Sequence, residues 1–319
     1  MTRNIAILAL CAVAACDTVP TNQRVDATGP DASLDAEVDA ADASLNGPDG
    51  LLDGAADTSP EAGPDVGVTD AGVDIDSFPA LDVDPVDTAI SPVACSAAVA
   101  GVVAFQTEDG ETLAADFHPT RTPNGPAVVL VHMIPPGNDR TNYPADFREL
   151  LVSRGIAVLN IDRRGGGFST GKALDAYQGP KGKLDVKAAL AFLATAPCPI
   201  DMARVGLIGA SNGTTSVLDY TVYAATDPKS AAPAAMVFLT GGTYTENQST
   251  VDANLALLSP LPLLFVYASD EATWSTQFEE LGPNAWRFEK YTPGGHGTNM
   301  FAVQPTSAAM VADWLVGAL

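Results

Sequence analysis

From residue 95 to the C-terminus, short apolar runs rich in Val, Ile, Leu and Phe alternate with stretches of helical periodicity. That alternation constrains the fold more than any other feature, because it specifies a sheet with helices packed on its faces. The expected strands are Val99–Gln106 and Thr112–His118, an antiparallel pair turning at Asp109-Gly110, then Ala127–His132, Ile156–Ile161 and Arg204–Ile208. Ala235–Thr240, Pro262–Ala268 and Trp286–Thr292 complete a set of about eight. Helices are expected over Ala145–Ser153, over Leu184–Leu193, from about Asn212 to Ala225, and over Pro305–Leu319. In the second of these, Val186, Ala189, Leu190 and Leu193 share one face; in the last, Val311, Trp314, Leu315 and Ala318 do. The fold class is therefore α/β, a mostly parallel sheet with helices on both faces. No insertion is long enough for a large cap domain.

The residues before this domain are of a different kind. The chain of 319 residues has a net charge of −23, yet residues 17–94 alone carry 18 acids against the single base Arg24. A balance of this sign excludes nucleic acid as a main partner, since phosphate binding needs clustered Lys and Arg. Residues 16–93 are mostly Asp, Ala, Gly, Pro, Val, Ser and Thr, with Phe78 the one aromatic. Such a segment buries too little apolar surface to offset its ordering entropy, and its charges repel. It reads as a disordered acidic tether with an end-to-end distance of roughly 50 Å. Calcium binding is the sharper alternative for so many Asp residues, but no Asp-x-Asp-x-Asp-Gly loop closed by Glu occurs.

Ahead of the tether, Ile5–Ala15 is an apolar run of 11 residues following Arg3. It has the length of a secretory signal core and is too short to span a bilayer. The run ends Val13-Ala14-Ala15-Cys16, which resembles the lipobox of bacterial lipoproteins. The resemblance implies a signal peptide over 1–15, lipidation of Cys16, and a location in the bacterial cell envelope, periplasmic or on the outer surface, anchored through the N-terminal lipid. Cys11 would leave with the signal peptide. Cys95 and Cys198 then remain in an exported domain, and one disulfide between them is expected.

One motif carries chemistry. Gly209-Ala210-Ser211-Asn212-Gly213 follows the apolar strand Val205–Ile208 and precedes a helix. A strand-turn-helix of this kind is a nucleophile elbow: the glycines permit a sharp bend, and Ser211 is raised above the sheet. Where the serine sits on a strand-turn-helix elbow of this kind, the triad order is serine, acid, then histidine, so the base is expected later in the chain. Of His118, His132 and His296, only His296 comes after the elbow, on the loop Pro293-Gly294-Gly295-His296-Gly297 past the last strand. His118, at a strand end before Pro119, reads as structural.

With these motifs in place, residues from about 100 to 319 resemble the α/β-hydrolase superfamily, in particular small esterases and dienelactone hydrolases. Val128–Met133 resembles the family's strand ending in a His-Gly loop, and Asp162–Gly171 resembles its Asp-x-Arg-Gly-x-Gly-x-Ser-x-Gly motif. The resemblance implies an oxyanion hole built from the N–H groups of Asn212 and of Met133 or Ile134. Met133 departs from the family's usual Gly, which leaves the N–H in place but adds a side chain to the pocket. It also implies a catalytic acid shortly after Leu263–Tyr267. The spacing favours Glu271, with Asp270 second and Glu246, after the preceding strand, third.

The expected function is that of a lipid-anchored exported serine hydrolase, a carboxylesterase acting on a small ester-type substrate through an acyl-enzyme. No metal or organic cofactor is implied. The alternatives are a non-catalytic binding module on the same fold, or a serine peptidase or thioesterase.

Overall fold

A computed structural model describes Cys95 and residues 100–283 and 285–319 of the chain. The expected signal peptide (1–15), the Cys16 lipidation site, the tether (16–93) and the first residue of the expected Val99 strand lie outside the described residues. Eight strands form one sheet: β1 (Gly101–Gln106), β2 (Thr112–His118), β3 (Gly125–Val131), β4 (Ala157–Ile161), β5 (Ile200–Ala210), β6 (Ala235–Leu239), β7 (Leu263–Ala268) and β8 (Trp286–Tyr291). Their order across the sheet is β1-β2-β4-β3-β5-β6-β7-β8. β2 runs antiparallel to both of its neighbours, and every pair from β4 to β8 is parallel.

Among the described residues four long helices cover the sheet: α1 (Ala145–Ser153), α2 (Gly182–Ala194), α3 (Gly213–Ala224) and α4 (Thr306–Ala318). The central strands are predominantly apolar because both of their faces are covered, and strand periodicity sorts the side chains between two cores. On one face Val129, Leu207, Phe238 and Phe265 pack with Val186, Ala189, Leu190 and Leu193 of α2 and with Val217 and Leu218 of α3. On the other face Val128, Leu130, Ile208, Val237 and Val266 pack with Phe147 and Leu151 of α1 and with Val311, Ala312 and Leu315 of α4. The inner face of α4 is thus centred on Val311, Ala312 and Leu315. Trp314 is only partly buried against it, and Ala318, the last residue of the helix, is half-buried.

β5 is longer than the Arg204–Ile208 run that the sequence marks out. Its first half pairs with Gly125 through an irregular register, and Asp201 and Arg204 interrupt its apolar residues Ile200 and Met202, which breaks the apolar run. A disulfide joins Cys95 to Cys198, as expected, and ties the start of the described domain to the loop before β5. Among the described residues no helix is long and apolar enough to cross a membrane.

The strand order reverses around β3: β4 lies on one side of it, and β5 and its successors lie on the other. A reversal of this kind leaves a crevice beyond the C-terminal strand ends, where ligands bind in open α/β sheets. His132 and Met133 follow β3, and Ser211 follows β5, so both connections open onto that crevice.

Candidate active site

Ser211 stands between the end of β5 and the start of α3 with φ 49°, a left-handed conformation that a non-glycine residue seldom adopts. Strain of this sort persists only where the surroundings enforce it. Here the Ser211 N–H donates to the Leu239 carbonyl at 2.8 Å, and the Ser211 carbonyl accepts from the N–H and the hydroxyl of Thr214. The two motif glycines are required by close approach. A Cβ on Gly209 would lie 2.7 Å from the Thr214 backbone, and one on Gly213 would lie 2.4 Å from the Val131 carbonyl oxygen. The turn therefore brings α3 hard against the ends of β3 and β5, and Ser211 is left 5% exposed.

His296 lies on the connection after β8. Its Nε2 is 2.5 Å from Ser211 Oγ, and its Nδ1 is 2.8 Å from Glu271 Oε1. A carboxylate only accepts hydrogen bonds, so the proton sits on Nδ1 and leaves Nε2 free to accept from the serine hydroxyl. The loop is held from below, where the Gly297 N–H donates to Thr240 Oγ1 at 3.0 Å. Glu271 ends a one-turn 3-10 helix, Ser269–Glu271, which directly follows β7. That tight turn brings Glu271 to the imidazole, while Asp270 beside it is exposed and makes no side-chain contact with His296. Glu246 is likewise exposed, on the connection between β6 and β7. Of the three candidate acids, Glu271 is the one the fold brings to His296. The other two lie apart from it.

Asn212 and Met133 flank the serine. None of the described turn, loop or cap hydrogen bonds uses the N–H of either residue as its donor. The Met133 side chain is buried and joins the apolar core on the α1 face. It lies against Gly297, where a Cβ would come within 2.7 Å of the Met133 sulfur and 3.4 Å of Ser211 Cβ. Met133 thus forms a wall between the histidine loop and the elbow.

His132, which the sequence leaves without a separate role, is fully buried and braces this corner. Its Nδ1–H donates to the Met133 carbonyl at 2.8 Å, and its Nε2 accepts the Arg163 N–H at 2.9 Å. Burial, with the Arg163 charge beside it, pulls its pKa down to about 3, so it stays neutral. His118 lies apart from the site, on β2 beside Arg148, and burial lowers its pKa as well.

Further neighbours have no motif to announce them. Tyr244 is exposed, but it donates its hydroxyl to the Thr240 carbonyl at 2.6 Å, and desolvation of that hydroxyl pushes its pKa up to about 12, so it remains a donor. Gln248 ties the same connection to the elbow helix, since its Oε1 accepts from the Tyr244 N–H at 2.7 Å and from Thr215 Oγ1 at 3.2 Å. A cavity of about 400 Å³ opens beside Tyr244, lined also by Gln178 and Asn247. It shares Gly179 and Asn247 with a second cavity of about 490 Å³ along α3, lined by Lys183, Asp219 and Tyr223. Neither cavity is lined by Ser211 or His296. Among the described residues no cluster of His, Cys, Asp or Glu is arranged to hold a metal ion.

No family model matches the sequence, and no curated protein does. Solved structures do match. The α/β hydrolase GrgF from a Penicillium species superposes with a TM-score of 0.51 at 17% identity, covering 69% of this chain and 99% of that one. A dienelactone hydrolase from Anabaena variabilis gives 0.50 at 18% identity, over 69% and 98% of the two chains. The esterase Est22 gives 0.52 at 16% identity, over 72% and 84%. At these identities the likeness establishes the α/β-hydrolase fold, in agreement with the eight-stranded, mostly parallel sheet.

Proposed function

We propose that this chain, which has the α/β-hydrolase fold, is a serine hydrolase that cleaves a carboxylic ester. The observation that carries the reading is the continuous chain from Ser211 Oγ through His296 to Glu271 at 2.5 and 2.8 Å, with the serine in a strained elbow. In this account Ser211 attacks the ester carbonyl while His296 Nε2 takes its proton. Glu271 holds the tautomer that makes Nε2 the acceptor and stabilises the imidazolium that forms. The N–H groups of Asn212 and Met133 receive the developing oxyanion, helped by the positive end of α3. His296 then returns the proton to the departing alkoxide, and water, deprotonated by the same imidazole, releases the acid from Ser211.

The fold likeness to an esterase and a dienelactone hydrolase supports an ester substrate over a peptide or thioester, without fixing the acyl group. Hydrolysis of short p-nitrophenyl esters by the full chain, abolished in Ser211→Ala, is the expected result. A folded wild type that turns over none of a panel of esters, thioesters and peptides would leave the binding-module reading in possession.

The proposal extends to location. The lipobox-like Val13–Cys16 supports a lipid anchor at Cys16, with the acidic segment holding the enzyme away from the bilayer. Expressed in a bacterial host, the wild type should enter the detergent phase on Triton X-114 separation, and Cys16→Ala should move to the aqueous phase. Identical partitioning of the two would reject the anchor.

A further inference from the structure

The motif Asp162–Gly171 takes no part in the chemistry described so far, and its second residue has an unusual environment. Arg163 is fully buried. Its Nη1 faces Asn212 Oδ1 at 3.0 Å, the Met133 carbonyl at 3.2 Å and the His132 carbonyl at 3.4 Å. Its Nη2 donates to the Ala176 carbonyl at 2.6 Å and to Ser216 Oγ at 2.9 Å. One guanidinium therefore spans both sides of the proposed oxyanion hole, the turn after β3 and the elbow after β5.

Peptide planarity converts those contacts into an orientation. In a trans peptide the carbonyl and the N–H point in opposite directions. Holding the His132 carbonyl toward Arg163 fixes the Met133 N–H on the far side of the same plane. Holding the Met133 carbonyl does the same for the Ile134 N–H. His132 adds a second grip on the Met133 carbonyl, and its ring is in turn held by the Arg163 N–H.

The charge balance points the same way. The side-chain contacts of Arg163 are all to carbonyl, amide or hydroxyl oxygens, while the neighbouring Arg164 takes the carboxylates of Asp185 and Asp109. A buried cation without a carboxylate in contact is costly to keep. The nearest balancing charge is the buried Asp185 carboxylate, which acts on Arg163 at a distance while bonding Arg164; an oxyanion forming at the Met133 and Asn212 N–H groups would add negative charge on the far side of the groups Arg163 holds. A preorganised charge of this kind acts when negative charge develops and has little effect on the neutral ester.

We propose that Arg163 is the positioning residue of the oxyanion hole, orienting the Met133 peptide and anchoring Asn212 from behind without touching substrate. The inference rests on the serine-hydrolase reading. The motif-matching arginine, Arg164, is by contrast a structural ion-pair residue.

The test uses the full chain and compares wild type, Arg163→Gln, Arg163→Lys and Asn212→Ala on p-nitrophenyl acetate, with a melting curve for each. Arg163→Gln is expected to lower kcat about 100-fold with KM changed less than about threefold, the signature of an interaction made in the transition state. Arg163→Lys restores a charge but not the fork, and should recover part of that loss. Folded Arg163→Gln with kcat within about threefold of wild type overturns the proposal, as does a loss confined to KM or to melting temperature. If both Arg163 variants fail to fold, Asn212→Ala decides, because it keeps the backbone N–H and removes only the tether. A fall in kcat of about tenfold at constant KM supports the role, and unchanged kcat overturns it. Wild type without Ser211-dependent turnover defeats the hydrolase reading itself, and this inference with it. Normal wild type beside normal Arg163→Gln defeats this inference alone.

Discussion

Glu271 Oε1 lies 2.8 Å from His296 Nδ1, whereas Asp270, one residue earlier in the same turn, is exposed and makes no contact with the imidazole. Glu271→Gln should therefore lower kcat by at least about tenfold and by as much as about 10⁴, because the amide no longer enforces the Nδ1–H tautomer. Asp270→Asn should leave kcat within about twofold of wild type. Steady-state ester hydrolysis by the two variants checks this. Equal losses, or a loss confined to Asp270→Asn, would contradict the assignment.

The Met133 side chain is buried against the histidine loop. Met133→Gly keeps the N–H that the account uses and removes the wall, together with the packing its side chain gives the core on the α1 face. Small acetyl esters should retain kcat/KM within about tenfold, while bulkier acyl groups gain relative to acetyl. A kcat/KM series from acetyl to benzoyl esters reads this out. A loss above about 100-fold on acetate esters would mean that the sulfur side chain itself supports turnover.

The fold was largely legible because its signals are local. The central strands announce themselves as apolar runs, since each is covered on both faces, and the α2 face Val186, Ala189, Leu190 and Leu193 follows directly from helical spacing. The candidate pair of Ser211 and His296 is equally legible: an elbow needs glycines at fixed offsets, and only one histidine follows it. The acid was not, because the choice between Glu271 and Asp270 depends on how the chain turns after β7, and a 3-10 turn leaves no pattern in two adjacent acids. Arg163 and Tyr244 were hidden for another reason. Arg163 meets Asn212 across 49 positions of sequence, and Tyr244 reaches the site through a connection without periodicity. The start of β5 is not legible because Asp201 and Arg204 break up its apolar residues Ile200 and Met202.

His132 gives stability a pH dependence of defined sign. Its pKa falls from 6.5 to about 3 on folding. Above pH 6.5 it is neutral in both states and costs nothing. As pH falls toward 3 only the unfolded chain takes up the proton, so stability is lost by up to about 1.4 kcal/mol per pH unit. His118 shifts in the same direction, and Asp109, lowered to about 2 by its bond to Arg164, contributes only below about pH 4. Urea midpoints at pH 7, 5.5 and 4.5 should therefore fall steeply for wild type and less steeply for His132→Gln. Parallel slopes would show that His132 does not carry the effect.

The Cys95–Cys198 disulfide closes a loop of 103 residues. A loop of that length is worth about 4–5 kcal/mol on the chain-entropy account. The paired variant Cys95→Ser/Cys198→Ser should show a correspondingly lower denaturant midpoint. Its kcat on small esters at 25 °C should be unchanged, because neither cysteine touches the Ser211 site. An unchanged midpoint would mean that the bridge constrains little of the unfolded chain.

The central claim is that Ser211 is an activated nucleophile, and intact-mass analysis after treatment with a fluorophosphonate probe tests it most directly. The account predicts one added label on the wild type, mapped to Ser211 by peptide sequencing, and none on folded Ser211→Ala. A folded wild type that takes up no label, or a label that persists in Ser211→Ala, would contradict it.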